Sequence, residues 1–217
     1  MTKASRNLLT AAVLTATATG ACAPQPAAPP RPVLSPAAQA RADGGRPPYS
    51  AADVHFISGM IAHHAQAVLM AGWAPTHGAS AAVRALCERI VVAQQDEIAF
   101  MQGWLRERRE PVPQADPRGH LMPGMDHVML MPGMLTPDQM ARLDSARGPQ
   151  FDRLFLTFMI QHHEGAITMV ETLFASHGAA QDEDVFKFAS DVNADQTSEI
   201  DRMHTMLGAR ASSGSSR

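Results

Sequence analysis

The chain has 217 residues, of which 45% are apolar and 18% are charged, and its formal net charge at pH 7 is −3. This length accommodates one domain with tails, and this apolar content is enough for a packed core. A slightly acidic chain offers no basic face to neutralise phosphates, so the composition argues against nucleic acid as a partner.

The N-terminal segment, residues 1–22, has the features of an export signal. Lys3 and Arg6 give it a positive start, and the apolar run that follows is too short to span a bilayer as a structural helix. The small residues that precede Cys22 resemble the lipobox of bacterial lipoproteins. We therefore predict export and a lipid anchor on Cys22, with an ordinary secretory signal as the alternative.

Low-complexity segments flank the predicted domain. Residues 23–49 hold eight of the sixteen prolines together with many alanines, and such a composition forms an extended spacer rather than a core. The Ser-rich residues 210–217 are expected to be disordered. The folded domain is therefore predicted to span residues 50–209.

Helical periodicity continues through this domain, and no alternating strand pattern competes with it. Ser50 or Asp53 can cap the first helix, and Thr136-Pro137 is typical of the cap and first position of a short helix. The long helices are predicted at about residues 51–74, 80–109, 149–176 and 181–208. They predict an all-α fold, a four-helix bundle, with a Met-rich connection at residues 110–135.

A stretch of the first helix recurs in the third. Residues 53–70 and 152–169 align without a gap at a shift of 99 positions, and both contain the pattern Asp-x-x-Phe-x-x-x-Met-Ile-x-His-His-x-x-Ala. A Gln-x-x-Glu-Ile-x-x-Met pattern then recurs in the second and fourth helices at a shift of 102 positions. The duplicated unit is therefore a pair of helices, and the bundle is predicted to consist of two similar hairpins.

The spacing within each copy places its His pair on or beside the core face. Phe56, Met60 and His63 lie four and three residues apart, along one side of a helix, and the second copy repeats this spacing. Buried imidazoles and carboxylates cost free energy unless they are hydrogen-bonded or coordinated. Two interpretations remain open, a metal site and a hydrogen-bonded structural network. The candidate metal ligands in the helices are Met60, His63, His64, Glu97, Met159, His162, His163 and Glu199.

The connection between the hairpins is unusually rich in methionine. Five Met and two His fall within residues 120–134, and Met-Pro-Gly-Met occurs twice. Pro-Gly pairs form turns, and thioethers are soft ligands that favour Cu(I), while imidazole adds capacity for Cu(II). The loop is therefore predicted to bind copper, and the alternative is a loop that packs its methionines over one end of the bundle. Its candidate ligands are Met122, Met125, His127, Met129, Met131 and Met134.

The duplicated pattern and the run Met-Pro-Gly-Met-Leu-Thr-Pro-Asp-Gln at residues 131–139 resemble the bacterial family called domain of unknown function 305. The resemblance covers about residues 50–208. It implies a ferritin-like four-helix bundle that is exported, with copper binding through Met and His as in some members, and it carries over the Met and the His pair of each copy as site residues. Ala65 stands in the first copy where Glu164 stands in the second, so the two halves need not bind alike.

These features predict an exported copper-binding protein of the bacterial envelope, periplasmic or otherwise extracytoplasmic. It would sequester copper, with Cu(I) favoured and Cu(II) possible, or hand it to other copper-handling envelope proteins. A ferritin-like di-metal oxidoreductase is one alternative, but its sites need a Glu three residues ahead of a His, and neither His pair has one. A metal-free structural envelope protein is another. No nucleophile–base arrangement, Gly-rich phosphate loop or zinc-type Cys pair occurs, so we do not expect catalysis.

Overall fold

The computed structural model describes residues 48–121 and 128–214, with the side chains of residues 48–119 and 130–209. In chain order its elements are α1 (Ala51–Gly72), α2 (Ala81–Arg108), β1 (His120–Leu121), β2 (Val128–Met129), α3 (Pro137–Ser145), α4 (Gly148–Ala175) and α5 (Glu183–Gly214). The predicted export signal, Cys22 and most of the linker lie outside the described residues. Within the described residues, no helix combines the length and the apolar character needed to cross a membrane.

The four long helices form two hairpins, α1–α2 and α4–α5, which meet mainly along α1 and α4. The predicted all-α bundle of two hairpins is therefore confirmed. Local sequence signals account for where its helices begin. Ser50 and Asp53 form a capping box at the start of α1, and Thr136 and Gln139 form another at the start of α3, with Pro137 at its first position.

The aspartate that opens each repeat ties one hairpin to the other. Asp53, at the start of α1, accepts a hydrogen bond through Oδ1 from the backbone N–H of Ala180, in the turn between α4 and α5, at 2.7 Å. Asp152, near the start of α4, accepts from the backbone N–H of Ser80, in the turn between α1 and α2, at 3.2 Å. Both aspartates are buried. The duplication thus places the same cross-hairpin contact at both ends of the bundle.

The core consists of two apolar clusters with four histidines between them along α1 and α4. The first cluster contains Met70, Phe155 and Met159, and the second contains Phe56 and Met60. Each long helix of the central pair therefore passes from one cluster to the other, and each does so at its His pair. Burial of these side chains is the main source of stability for the bundle.

The connection between the hairpins docks on the bundle in two ways. Gln66 of α1 accepts from the backbone N–H of Leu135 at 2.6 Å and donates to the backbone oxygen of Leu135 at 3.1 Å. On α4, Gly165 allows close approach of the connection, because a Cβ there would lie 2.1 Å from the backbone oxygen of Pro132. These two docking residues, Gln66 and Gly165, occupy equivalent positions in the two repeats.

The connection also contains a feature that the sequence pattern did not predict. Strands β1 and β2 pair antiparallel, with His120 opposite Met129 and Leu121 opposite Val128. A strand is recognised in a sequence by alternation of apolar and polar residues over four or more positions. Strands of two residues are too short to show that alternation. The Met-rich connection is therefore a small hairpin followed by a docked turn.

Candidate metal centre

Four histidines meet in the middle of the bundle. His63 and His64 of α1 and His162 and His163 of α4 are each 0% exposed, and we call this set the histidine layer. The rings of His63 and His162 lie closest, with centroids 3.8 Å apart and an interplanar angle of 42°. Within each repeat the two rings lie farther apart, at 6.4 Å in the first copy and 6.2 Å in the second. The helical pattern thus brings both His pairs to one buried level.

Two glutamates contact this layer from the outer helices. His163 Nε2 and Glu199 Oε2 form a hydrogen bond of 2.7 Å. His64 Nε2 lies at the same 2.7 Å from Glu97 Oε2, in a close polar contact whose angle is less favourable for a hydrogen bond. Because an ionised carboxylate can only accept, Nε2 of each of these two rings carries a proton, and in the neutral form of the ring the lone pair is on Nδ1. This arrangement is the carboxylate–histidine pairing that commonly orients metal ligands.

His63 is oriented by the connection instead of by a carboxylate. Its Nε2 lies 2.9 Å from the backbone oxygen of Pro132, which can only accept, so Nδ1 again carries the lone pair. Neither ring nitrogen of His162 has a hydrogen bond of good geometry within the described part of the chain, although the nearby backbone of His63 acts to raise its pKa against the larger effect of burial. Among these same residues, the Nδ1 atoms of all four histidines are buried without a partner.

Burial keeps the central pair of imidazoles neutral. The pKa of His63 is lowered to about 3, chiefly by desolvation and then by the neighbouring charge of His64, while the bond to Pro132 acts in the opposite direction. Desolvation also lowers the pKa of His162 well below its usual range, and His63 and His163 add to the effect. Neutral imidazoles have the lone pair that metal coordination requires.

The methionines that precede each His pair lie apart from one another. Met60 and Met159 are both 0% exposed, and they pack in different apolar clusters, one on each side of the histidine layer. Each lies one helical turn before a histidine of its own helix. A thioether is therefore buried on either side of the layer, at repeat-equivalent positions.

The predicted loop ligands divide into two groups. Met131 and Met134 are buried in the same cluster as Met60, and the backbone N–H of Met131 donates to Met134 Sδ at 3.4 Å. These two thioethers form part of the core. The remaining predicted loop ligands, Met122, Met125, His127 and the side chain of Met129, lie outside the described residues.

In the arrangement seen in the structure, the four histidines do not form a complete coordination shell. Across the described residues, no group of three or more His, Cys, Asp or Glu side chains is arranged to hold a metal ion. The donor chemistry nevertheless fits a metal, because each ring has a buried Nδ1 atom without a partner. Coordination by several rings therefore requires the imidazoles to reorient, or a thioether to complete the set.

Several residues that shape the site had no role in the sequence-based prediction. Pro132 provides the carbonyl that orients His63, and Gln66 and Gly165 position the segment that contains it. For Asp53 the sequence predicts a helix cap and the first position of the repeat, but not the contact with Ala180. Its recurrence at Asp152 was the one available signal, since a polar residue kept in both copies of an apolar pattern indicates a specific contact.

Comparisons with known proteins agree with this architecture. Residues 53–207 match the family described as "Domain of unknown function (DUF305)", and no curated protein matches the chain. Among solved structures, the chain is similar to a DUF305 protein from Streptomyces coelicolor, with 30% identity and a TM-score of 0.62 over 74% of this chain and 94% of that one. A DUF305 fragment from Deinococcus radiodurans has 27% identity and a TM-score of 0.62 over 75% of this chain and 99% of the fragment.

A third similar structure contains copper. CopM in its Cu(II)-bound form has 26% identity and a TM-score of 0.56 over 72% of this chain and 96% of CopM. CopM has also been solved in Cu(I)-bound and silver-bound forms. The family match extends over nearly the whole bundle, and the chain therefore belongs to the DUF305 family.

Proposed function

We propose that this protein is an exported copper-binding protein of the bacterial envelope, which holds copper at the histidine layer and sequesters it or hands it on. The observation that carries the proposal is the set of four buried Nδ1 atoms without a partner in the described structure. Imidazole nitrogens suit copper, and coordination would offset the cost of burying them unpaired. Similarity to CopM, which is known with Cu(I) and Cu(II), supports the choice of metal.

A comparison within the chain strengthens this reading. His77 is also buried, but both of its ring nitrogens have partners. Its Nδ1 lies 3.0 Å from the hydroxyl of Thr76, and its Nε2 lies 2.8 Å from the backbone oxygen of Asp144. A histidine that serves packing alone is thus fully hydrogen-bonded in this protein, whereas the histidine layer retains free lone pairs.

The remaining predicted features extend the proposal. Thioethers favour Cu(I) over harder ions, so we assign first capture of Cu(I) to the loop ligands Met122, Met125, His127 and Met129, with transfer to the histidine layer. Met60 and Met159 are the thioethers available from the core on either side of that layer. A lipid anchor on Cys22 would keep the domain at a membrane surface, where other copper-handling envelope proteins can receive the ion.

One alternative has a specific observation in its favour. No described group of His, Cys, Asp or Glu is already arranged as a metal shell, and two of the histidines contact glutamates at 2.7 Å. This arrangement is compatible with a metal-free structural network that stabilises the bundle. The two proposals predict different effects of removing His63 and His162. A metal site would lose copper, whereas a structural network would mainly lose stability.

Competition titration of the purified full chain with Cu(I), Cu(II), Zn(II) and Fe(II), read by metal analysis after desalting, tests the proposal. We expect selective retention of copper, and loss of most of it in the double variant His63→Ala/His162→Ala. The matched control is His77→Gln, which alters a buried histidine outside the layer and should retain copper. A double variant that keeps its copper and loses only stability would support the structural network, and retention of two irons per chain would support a di-metal oxidoreductase.

A further inference from the structure

The turn between the two helices of each hairpin is also part of the duplication. The sequence His-Gly-Ala occurs at residues 77–79 and again at residues 177–179, and its glycine has a positive φ in both turns, 68° and 75°. In both turns the backbone N–H that follows this sequence donates to a buried aspartate of the other hairpin. His77 and His177 therefore occupy equivalent places at opposite ends of the bundle.

The surroundings of these two histidines differ. His77 is 5% exposed, and its Nε2 lies 2.8 Å from the backbone oxygen of Asp144 in α3 and 3.1 Å from the carboxylate of the same residue. His177 is exposed. Helix α3 thus covers the turn of the first hairpin, whereas no described helix covers the equivalent turn of the second.

The surface beneath α3 has a counterpart in the other half of the bundle. Leu143 of α3 packs in one apolar cluster with Met70 and Phe155. At the shift of 99 positions, the equivalents of Met70 and Phe155 are Met169 and Phe56. Both of these line a pocket of about 110 Å³ between the start of α1 and the end of α4, which we call the α1–α4 pocket. The pocket therefore lies where the duplication would place a counterpart of α3.

A copy of the α3 sequence precedes α1. Residues 34–48 and 135–149 align without a gap at a shift of 101 positions, and seven of the fifteen positions are identical. The identical residues are Leu34, Pro36, Ala40, Arg41, Asp43, Arg46 and Pro48. Ser35 stands where Thr136 caps α3, and serine caps helices at least as well as threonine. The duplicated unit therefore includes the short helix as well as the hairpin.

Two positions of this copy differ in ways that affect packing. Ala42 stands where Leu143 is fully buried. Because residues 131–132 of the connection also line the α1–α4 pocket, less space is left there, and a smaller side chain suits it. Pro47 stands in place of Gly148, whose backbone N–H donates to the covered turn. Proline has no N–H, so this one bond would not recur.

From these observations we propose that residues 34–48 dock in the α1–α4 pocket as the counterpart of α3, with a helix at the equivalent positions 36–44 and with Asp43 against His177. The described chain begins at residue 48, just before α1, so the segment is tethered beside the pocket. Such a tether gives the segment a high effective concentration at this surface. The proposal does not depend on metal binding.

Docking of this segment would shorten the tether of the domain. Of the predicted spacer at residues 23–49, only residues 23–33 would remain extended. A proline-rich chain of that length reaches about 35 Å. A lipid anchor on Cys22 would then hold the bundle close to the membrane.

Modification of histidines by diethyl pyrocarbonate tests the docking on the purified full chain. The reagent attacks accessible imidazoles, and His204 of α5 is an exposed histidine outside the pocket lining, so it provides the internal control. We expect His177 to react about fivefold or more slowly than His204, because a covered side chain reacts only when the segment opens. Peptide mass spectrometry measures both rates, and equal rates in the wild-type chain would overturn the proposal.

Two proline variants identify what protects His177. Ala40→Pro disrupts the interior of the proposed helix and should raise the rate at His177 to that of His204. The matched control is Ala28→Pro, within the spacer, which should leave the rate unchanged. Protection that survives Ala40→Pro would overturn the docking of this segment, and if it also rises with protein concentration, a second copy of the chain covers the pocket instead.

Amide hydrogen exchange of the wild-type chain gives an independent measurement. We expect residues 36–44 to exchange about tenfold or more slowly than residues 23–33. Equal exchange in the two segments would also overturn the proposal, because a docked helix protects its amides.

Discussion

The imidazole rings of His63 and His162 lie with their centroids 3.8 Å apart in the fully buried middle of the bundle. Each ring comes from the equivalent position of one repeat, so the pair joins the two halves of the duplication. At this separation a proton on one ring disfavours a proton on the other, and burial disfavours both. Both rings are therefore neutral in the folded protein, and this makes the stability of the fold depend on pH.

The first prediction is that the metal-free chain loses stability as the pH falls below about 6.5. The pKa of His63 is lowered to about 3 in the folded state, from 6.5, and that of His162 is lowered in the same direction. The unfolded chain therefore binds more protons between these values, and the free energy of unfolding rises with pH across this window. The slope is about 1.4 kcal/mol per pH unit for each histidine kept neutral. Urea unfolding at several pH values measures it, and His63→Gln should flatten the slope, whereas an unchanged slope would contradict the assignment.

The second prediction concerns the glutamate that holds His163. Glu199→Gln replaces an acceptor-only carboxylate with an amide, so the proton is no longer fixed on Nε2 and Nδ1 is a weaker ligand. Loss of such a partner lowers metal affinity by about 10- to 100-fold. Competition with a chromophoric copper chelator measures the affinity. The matched control is Glu171→Gln, an exposed glutamate of α4, and equal affinities in the two variants would show that Glu199 does not orient a ligand.

Sequence reasoning predicted the parts of this site that depend on helical periodicity. The 3.6-residue repeat and the duplication together imply a bundle with both His pairs on the core face, and His63 and His162 do meet there. The bond from His63 to Pro132, by contrast, joins residues 69 positions apart. Such contacts depend on how the connection docks on the bundle, and the helical periodicity of the sequence does not predict that docking.

The Met-rich connection is a second feature that local sequence pattern predicts only in part. A Met-Pro-Gly-Met run predicts a turn, and Gly133 indeed adopts a positive φ of 76°. The docking of this segment could not be predicted, because the side chain of Met131 packs against Gly59 of α1 and the backbone of Pro132 and Gly133 packs against Gly165 of α4. A glycine inside a helical pattern indicates that another segment packs closely there, but it does not identify that segment.

The third prediction is that Asp53 stabilises the bundle through the partner hairpin. Asp53→Ala removes the acceptor for the backbone N–H of Ala180 and for that of Ser50. Loss of buried hydrogen bonds to a charged group should lower the free energy of unfolding by about 1.5 to 3 kcal/mol. Urea denaturation measures this difference. Asp138→Ala provides the control, since this exposed aspartate lies in the first turn of α3. A loss equal to that of the control would mean that the contact with Ala180 contributes nothing.

The last prediction separates two glycines that have opposite surroundings. At Gly165 a Cβ would lie 2.1 Å from the oxygen of Pro132 and 2.4 Å from the Cα of Gly133, both of them backbone atoms. Gly165→Ala must therefore displace the docked turn, and overpacking of this kind costs about 1 to 3 kcal/mol. At Gly103, inside α2, a Cβ would meet nothing within 4 Å, so Gly103→Ala should stabilise the helix by about 0.5 to 1 kcal/mol.

Displacement of the turn at Gly165 also removes the carbonyl of Pro132 from His63. We therefore expect Gly165→Ala to lower copper affinity together with stability, whereas Gly103→Ala should change stability alone. Chemical denaturation and chelator competition on the same two variants distinguish these effects. If Gly165→Ala lost stability but kept its copper affinity, the docked turn would support the fold without orienting the histidine, because His63 would then need no help from Pro132 to present its Nδ1 lone pair.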